Sequence, residues 1–227
     1  VFCLARDLAD LKRRLGQITV GSTYAGEPVT ASQIGPHGAQ GAMAVLLKDA
    51  ISPNLVQTLG GTPAFIHGGP FANIAHGCNT LLATRTAMQY ADIVLTEAGF
   101  GSDLGAEKFF DIKARYGKLD VAGAVIVATV RSIKHNAGVA KAELSNENVA
   151  ALEEGIVNLE RHVENVRKFG VTPVVALNRF STDSEAELDF LKNWAKANGI
   201  ALAEADVWAK GGDGALELAQ TLLDNLT

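Results

Sequence analysis

The stretch Ala122-Gly123-Ala124-Val125-Ile126-Val127-Ala128-Thr129-Val130 carries no charge and, apart from Gly123 and Thr129, only apolar side chains. It is too short for a membrane span, which needs about 18 apolar residues, and it suits a strand buried on both faces of a parallel sheet. Four shorter runs repeat its character: 62–66 and 92–96 before it, 173–177 and 200–203 after it. Helical periodicity fills the intervals, over about 39–51, 72–91, 105–116, 146–169, 184–199 and 213–226. In 146–169, for example, Val149, Leu152, Ile156, Leu159, Val163 and Val166 recur every three or four residues, with Ser145 as the expected cap. Strands alternating with helices predict an α/β fold, a doubly wound and mostly parallel sheet, in a single domain over 1–227. Residues 1–38 form a subregion: 1–15 read as the tail of a helix, and the alternation around Ala25-Gly26-Glu27-Pro28 predicts a hairpin over 17–31.

Composition narrows the function. Of 227 residues, 48% are hydrophobic and 20% charged, which excludes disorder and supports a sizeable core. Twenty basic against twenty-five acidic side chains, net −5, argue against non-specific nucleic-acid binding. Two cysteines, Cys3 and Cys78, make neither a disulfide framework nor a zinc site, as expected for a reducing, cytoplasmic setting without membrane association. The chain opens on Val1 rather than Met, so cut or processed ends are expected. GxxxxGK[ST], GxSxG and HExxH do not occur in it.

In a parallel α/β sheet, ligands bind beyond the carboxyl ends of the strands. Four polar segments are expected at that rim. In His67-Gly68-Gly69-Pro70-Phe71-Ala72-Asn73, the glycines let the backbone approach an anion at a helix N-terminus, although Gly-Gly-Pro also makes an ordinary turn and Asn73 an ordinary cap. Glu97 closes a strand where a carboxylate can hold Mg²⁺. The glycines after it, 99–105, miss the GxGxxG spacing by one residue, which disfavours a NAD-linked dehydrogenase, and Asp103 serves either a ligand or a helix cap. His76 reads as a packed or exposed helix residue, and Lys210-Gly-Gly-Asp-Gly214 as a connector. Arg131 and Lys134, in a polar loop over 131–145, suit a phosphate or carboxylate clamp or simply solvated charge. Asn178, followed by Asp183, resembles base recognition or a turn with a cap.

Longer stretches carry a family resemblance. Gly41-Ala-Met-Ala-Val-Leu-Leu-Lys-Asp-Ala50, Pro53-Asn-Leu-Val-Gln-Thr58, residues 62–79, Thr96-Glu-Ala-Gly-Phe-Gly101, Asp103-Leu-Gly-Ala-Glu-Lys-Phe-Phe110, Val127-Ala-Thr-Val-Arg131, Asn178-Arg-Phe180 and Gly211-Gly-Asp-Gly-Ala-Leu-Glu-Leu-Ala219 resemble formate–tetrahydrofolate ligase, the 10-formyltetrahydrofolate synthetase family. The resemblance implies an ATP-dependent ligase of one-carbon metabolism that joins formate to N10 of tetrahydrofolate through formyl phosphate. It also implies a fold similar to P-loop nucleotide-binding proteins, a homotetramer, and the use of Mg²⁺ and a monovalent cation. It implies further that this chain is a central fragment, inactive alone, because the family's P-loop is not in it. The rival expectation is a non-catalytic scaffold or oligomerisation fragment of the same fold. On the matching positions, Arg131 and Lys134 would offset charge as acyl phosphate forms. His67, Gly68, Gly69 and Asn73 would line the cleft, Asp103 would serve the nucleotide side, Glu97 would contact Mg²⁺ or phosphate, and Asn178 would lie near adenine. Two departures stand out: Ala137 where the family's signature ends in Gly-Gly, and Gly60 where Glu is common.

Overall fold

A computed structural model describes residues 1–69 and 75–226 of the chain. They gather into two compact units: Val1–Phe100 with Leu104–Leu119, and Gly101–Asp103 with Asp120–Thr227.

The first unit begins with a 3-10 turn, Phe2–Leu4, and then helix α1, Leu8–Gly16. Asp7 is its N-cap and accepts from the Asp10 backbone N–H, so a helix starts here, where the sequence suggested the tail of one. The expected hairpin forms from β1, Thr19–Ser22, and β2, Pro28–Thr30. Helix α2, Gln40–Leu47, packs Ala44 with Ala5, Leu11 and Leu15 in a small apolar core. The run at 62–66 does become a strand, β4, Pro63–Ile66, but it pairs antiparallel with β3, Asn54–Gln57, rather than joining a parallel sheet. The reason is local. Gly61 at φ +84° closes the turn, with the Thr58 N–H donating to Thr62 O, and two extended segments joined by a turn pair at once. Residues 92–96 form no strand. Among the described residues no strand pairs with them, and Ile93 and Leu95 stand exposed. Of the helix expected over 72–91, α3, Leu81–Ala87, is formed; 70–74 fall outside the described residues, and 75–79 turn sharply through Gly77 and Asn79, both at positive φ. From Gly101 to Gly117 the chain winds continuously, with wide π-type turns at Gly101–Gly105 and Phe109–Ala114 alternating with α4, Ala106–Lys108, and α5, Arg115–Gly117.

The second unit holds the α/β layer. Strands β5, Ala124–Ala128, β6, Pro173–Asn178, and β7, Ala201–Ala205, form a parallel sheet in the order β5-β6-β7. Ala128 pairs with Leu177 and Asn178 with Ala205, so β5 and β6 end side by side. β6 is central and buried throughout except at Asn178, which explains its unbroken apolar run. Between β5 and β6 lie α6, Val130–Asn136, and α7, Val149–Lys168. Helix α6 corrects the loop expected over 131–145. Thr129 and Ser132 form a reciprocal capping box, and Val130 and Ile133 are buried. Asn148, not Ser145, caps α7. Its periodic residues Leu152, Ile156, Leu159 and Val163 meet Val175, Leu177, Leu188 and Leu191 in the main core, where each buried Leu or Ile contributes about 1.5–3 kcal/mol. Ser184 opens α8, Glu185–Ala197, with a capping box to Glu187, and Gly199 ends the turn at φ +60°. The end of the chain winds through α9, Val207–Lys210, a 3-10 turn, Gly211–Ala215, and α10, Leu216–Asp224, rather than one helix from 213.

Candidate functional site

In the second unit the carboxyl ends of β5 and β6 present the polar cluster. The capping box directs the chain straight from β5 into α6, which places Arg131 on its first turn. The Arg131 guanidinium lies 4.6 Å from the centre of the Phe180 ring, and its terminal nitrogen donates to Thr182 Oγ1 at 2.9 Å. Its Nε is buried and meets no hydrogen-bond partner among the described residues. Asn178 ends β6, the strand next to β5, and is half-buried. Asp183 turns back to accept from the Phe180 backbone N–H at 2.8 Å, and so fixes the loop that carries Phe180 and Thr182. Burial pushes the Asp183 carboxyl above the ordinary carboxylate range, and the Phe180 N–H partly offsets it. The sequence held two readings of Asp183; its bond to Phe180 identifies it as the brace of a turn.

Lys134 sits one turn beyond Arg131, but its ammonium is not open. It is 1% exposed, donates to Glu187 at 2.7 Å and to Asn146 O at 2.9 Å. Glu187 in turn accepts from the backbone N–H groups of Asn148 at 3.0 Å and Ser184 at 3.1 Å. Burial raises the Glu187 carboxyl, yet the bonds from Lys134, Ser184 and Asn148 outweigh that and hold it below its usual range. The pair ties α6 to the start of α8 and leaves Arg131 as the cation with an unused donor. The Ala137 departure is conformationally neutral: Ala137 has φ −80°, and the positive φ falls on Gly138. Asp103 also belongs to this unit. It is exposed, with its Oδ1 4.0 Å from His162 Nδ1, while Ser102 Oγ is 2.8 Å from the same nitrogen. Sequence reading missed His162 because sixty residues separate it from Ser102.

The first unit places the other candidates. His67 follows β4 and is buried. Its Nε2 lies 2.8 Å from Ala50 O, which can only accept, so Nε2 carries the proton and Nδ1 accepts from Thr80 Oγ1 at 2.6 Å. Both ring nitrogens are thus engaged internally. Gly68, at φ +76°, is required on two counts: a Cβ there would stand 2.6 Å from Thr80 Cγ2. Gly69 also has positive φ, with open space around it, and Asn73 lies outside the described residues. Glu97 has an exposed side chain on an irregular segment, not at a strand end. Gly105 is explained by packing rather than by a dinucleotide: a Cβ would stand 2.5 Å from Ala98 O. His76 is buried, with neither ring nitrogen partnered among the described residues, and burial holds it toward its neutral form. A separate hollow of about 690 Å³ is lined by residues that include Lys12, Arg13, Gln17, Thr30, Ser32 and Gln40.

The expected rim therefore resolves into parts. Arg131 and Asn178 follow neighbouring parallel strands, whereas His67 follows an antiparallel hairpin and Glu97 no strand at all. Among the described residues no three His, Cys, Asp or Glu side chains group as a metal site, and no helix is long and apolar enough to cross a membrane.

Similarity to known proteins covers the whole chain. The sequence profile described as formate–tetrahydrofolate ligase matches residues 1–227. The chain is 63% identical over 222 residues to formate–tetrahydrofolate ligase of Corynebacterium diphtheriae, covering 98% of this chain and 40% of that one. It is 60% identical to the enzyme of the same name from an Arthrobacter species (98% and 39% covered) and 57% identical to that of Staphylococcus aureus (99% and 40% covered). The chain thus spans about 40% of the length of the curated relatives it matches. With the profile covering every residue, the chain belongs to the formate–tetrahydrofolate ligase family.

Proposed function

We propose that this chain provides the anion-binding face of an ATP-dependent ligase that joins formate to tetrahydrofolate by way of formyl phosphate. The observation that carries the reading is Arg131. It is a cation just past the end of a parallel strand, braced by Phe180 and Thr182, with one buried N–H that meets no partner among the described residues. An orphaned buried donor is costly, about 1–3 kcal/mol, unless an acceptor completes it, and a phosphate oxygen is a suitable acceptor. A guanidinium held in advance offsets negative charge as it gathers in phosphoryl transfer. Asn178, on the adjoining strand end, offers amide donors and an acceptor on the nucleotide side. Lys134 acts at one remove, as the clasp that orients α6, because its Nζ is committed to Glu187 and Asn146. Glu97 alone supplies a single carboxylate, which is no cage for Mg²⁺, so no step is assigned to the metal.

Titration calorimetry with MgATP tests the assignment. The chain should bind weakly, and Arg131→Ala should abolish the heat while Arg131→Lys retains part of it. Equal heats for the chain and Arg131→Ala would refute the role given to Arg131. We expect the 227-residue chain by itself to form no 10-formyltetrahydrofolate, since it contains no P-loop lysine to grip the transferring phosphate. Turnover by the isolated chain at the rate of a full-length relative would contradict this. A scaffold role is favoured by a different observation, the internal engagement of His67, Lys134 and Asp183. It predicts no heat with any substrate.

A further inference from the structure

Lys113, in the first unit, is completely buried without a carboxylate partner among the described residues. Its ammonium nitrogen donates to the Cys78 carbonyl and lies 3.9 Å from Cys78 Sγ, with the Phe109 ring 5.7 Å away on another side. Cys78 is also buried, and its sulfur is held by Thr96 Oγ1 and the Glu97 carbonyl. The approach of the two groups is fixed by backbone. Gly77, at φ +94°, packs so closely on Phe109 that a Cβ would stand 2.9 Å from its Cα, which sets Cys78 against the turn bearing Lys113. A lone ammonium in such surroundings is costly, and burial drives the amine toward its neutral, nucleophilic form. Neither residue has a part in the ligand-binding reading above.

We propose that Cys78 and Lys113 are a redox modification site, in which peroxide oxidation of the thiol leads to a sulfenamide bond between Sγ and Nζ. In the first step hydrogen peroxide transfers one oxygen to the thiol, giving the sulfenic acid and one water. In the second, the Nζ lone pair attacks sulfur and the S–O bond breaks. The departing hydroxide takes an amine proton and leaves as a second water. Overall one peroxide is reduced to two waters, while thiol and amine together lose two hydrogens. A thiol reductant reverses the bond by attack on sulfur, restoring the amine and the cysteine.

The test is peptide mapping of the 227-residue chain after peroxide treatment, digested without reduction. The expected product is a cross-linked pair carrying Cys78 and Lys113, lighter by two hydrogens than the sum of its peptides and released by dithiothreitol. Cys3→Ser should keep the cross-link, which separates it from a disulfide, and Lys113→Arg should lose it entirely. Should Lys113→Arg not fold, the maps of the native chain and Cys3→Ser still decide. Finding only a Cys3–Cys78 disulfide, or sulfinic and sulfonic acid at Cys78 beside unmodified Lys113, would overturn the proposal.

Discussion

Breaking the Lys134–Glu187 pair from either side should expose how the second unit is held together. Both side chains are essentially inaccessible, 1% and 0% exposed, and meet at 2.7 Å. Lys134→Met removes the cation and leaves a buried carboxylate with only the Asn148 and Ser184 N–H groups for company. Removing one partner of such a pair costs about 3–5 kcal/mol. With a urea slope of about 2 kcal/mol per M, the midpoint should fall by roughly 2 M. Glu187→Leu should cost more, since it strands the ammonium and also orphans two backbone donors at about 1–3 kcal/mol each. The double variant leaves neither charge of the pair buried alone, so its cost should fall short of the sum of the single changes by about 2–3 kcal/mol. Trp194 packs against this core and hydrogen-bonds Glu160, so its fluorescence reports the transition, whereas Trp208 is 90% exposed. The pH dependence has a definite sign. The Glu187 carboxyl is held below its ordinary range when folded, so its contribution is present above the unfolded value and is lost as pH falls through the folded one. A Lys134→Met midpoint equal to that of the native chain, or costs that simply add, would refute the account.

Three further outcomes follow from the same geometry. Asp10 is buried and accepts from Arg13 at 2.5 Å and Arg14 at 2.9 Å, bonds that outweigh its burial and hold it well below the carboxylate range. Asp10→Asn should cost about 1.5–3 kcal/mol at neutral pH and flatten the loss of stability below about pH 4, as followed by circular dichroism. Gly155→Ala would drive a Cβ to 2.0 Å from Ile133 O, so despite the better helix former it should lose about 1–3 kcal/mol in a urea titration; an unchanged midpoint would mean α6 and α7 pack differently. Ser184→Ala removes one half of the α8 capping box and should lower stability by about 1 kcal/mol, visible as a drop in the thermal midpoint.

The parts of the fold legible in the sequence are those whose cause is local. The apolar run at β6, the three-and-four spacing of α7 and the Ser184–Glu187 box all announce their elements within a few residues, and all three formed. Helix α6 is equally local, started by the Thr129–Ser132 box, but the polar residues that follow mask it as a loop. The runs at 62–66 and 92–96 misled for a different reason. Strand character can be read from composition, but the partner cannot: one met a neighbouring hairpin arm and the other met no strand among the described residues. Among the candidate residues, Arg131 and Asn178 kept a strand-end setting, while Lys134 and His67 turned out to be engaged with groups far along the chain.

By itself the sequence determined the family, through long ungapped motifs, and the α/β class, through the alternation of buried runs and amphipathic helices. Only the tertiary structure decided which cation keeps an unused donor among the described residues and which is fully committed. Lys134 and Glu187 lie 53 residues apart and Cys78 and Lys113 35 apart, and nothing in the residues between them encodes the meeting. Hydrogen bonds and charge pairs act over a few ångströms of space, whereas sequence patterns act over a few residues of chain. The two coincide in a helix or a hairpin and part wherever packing brings distant segments together.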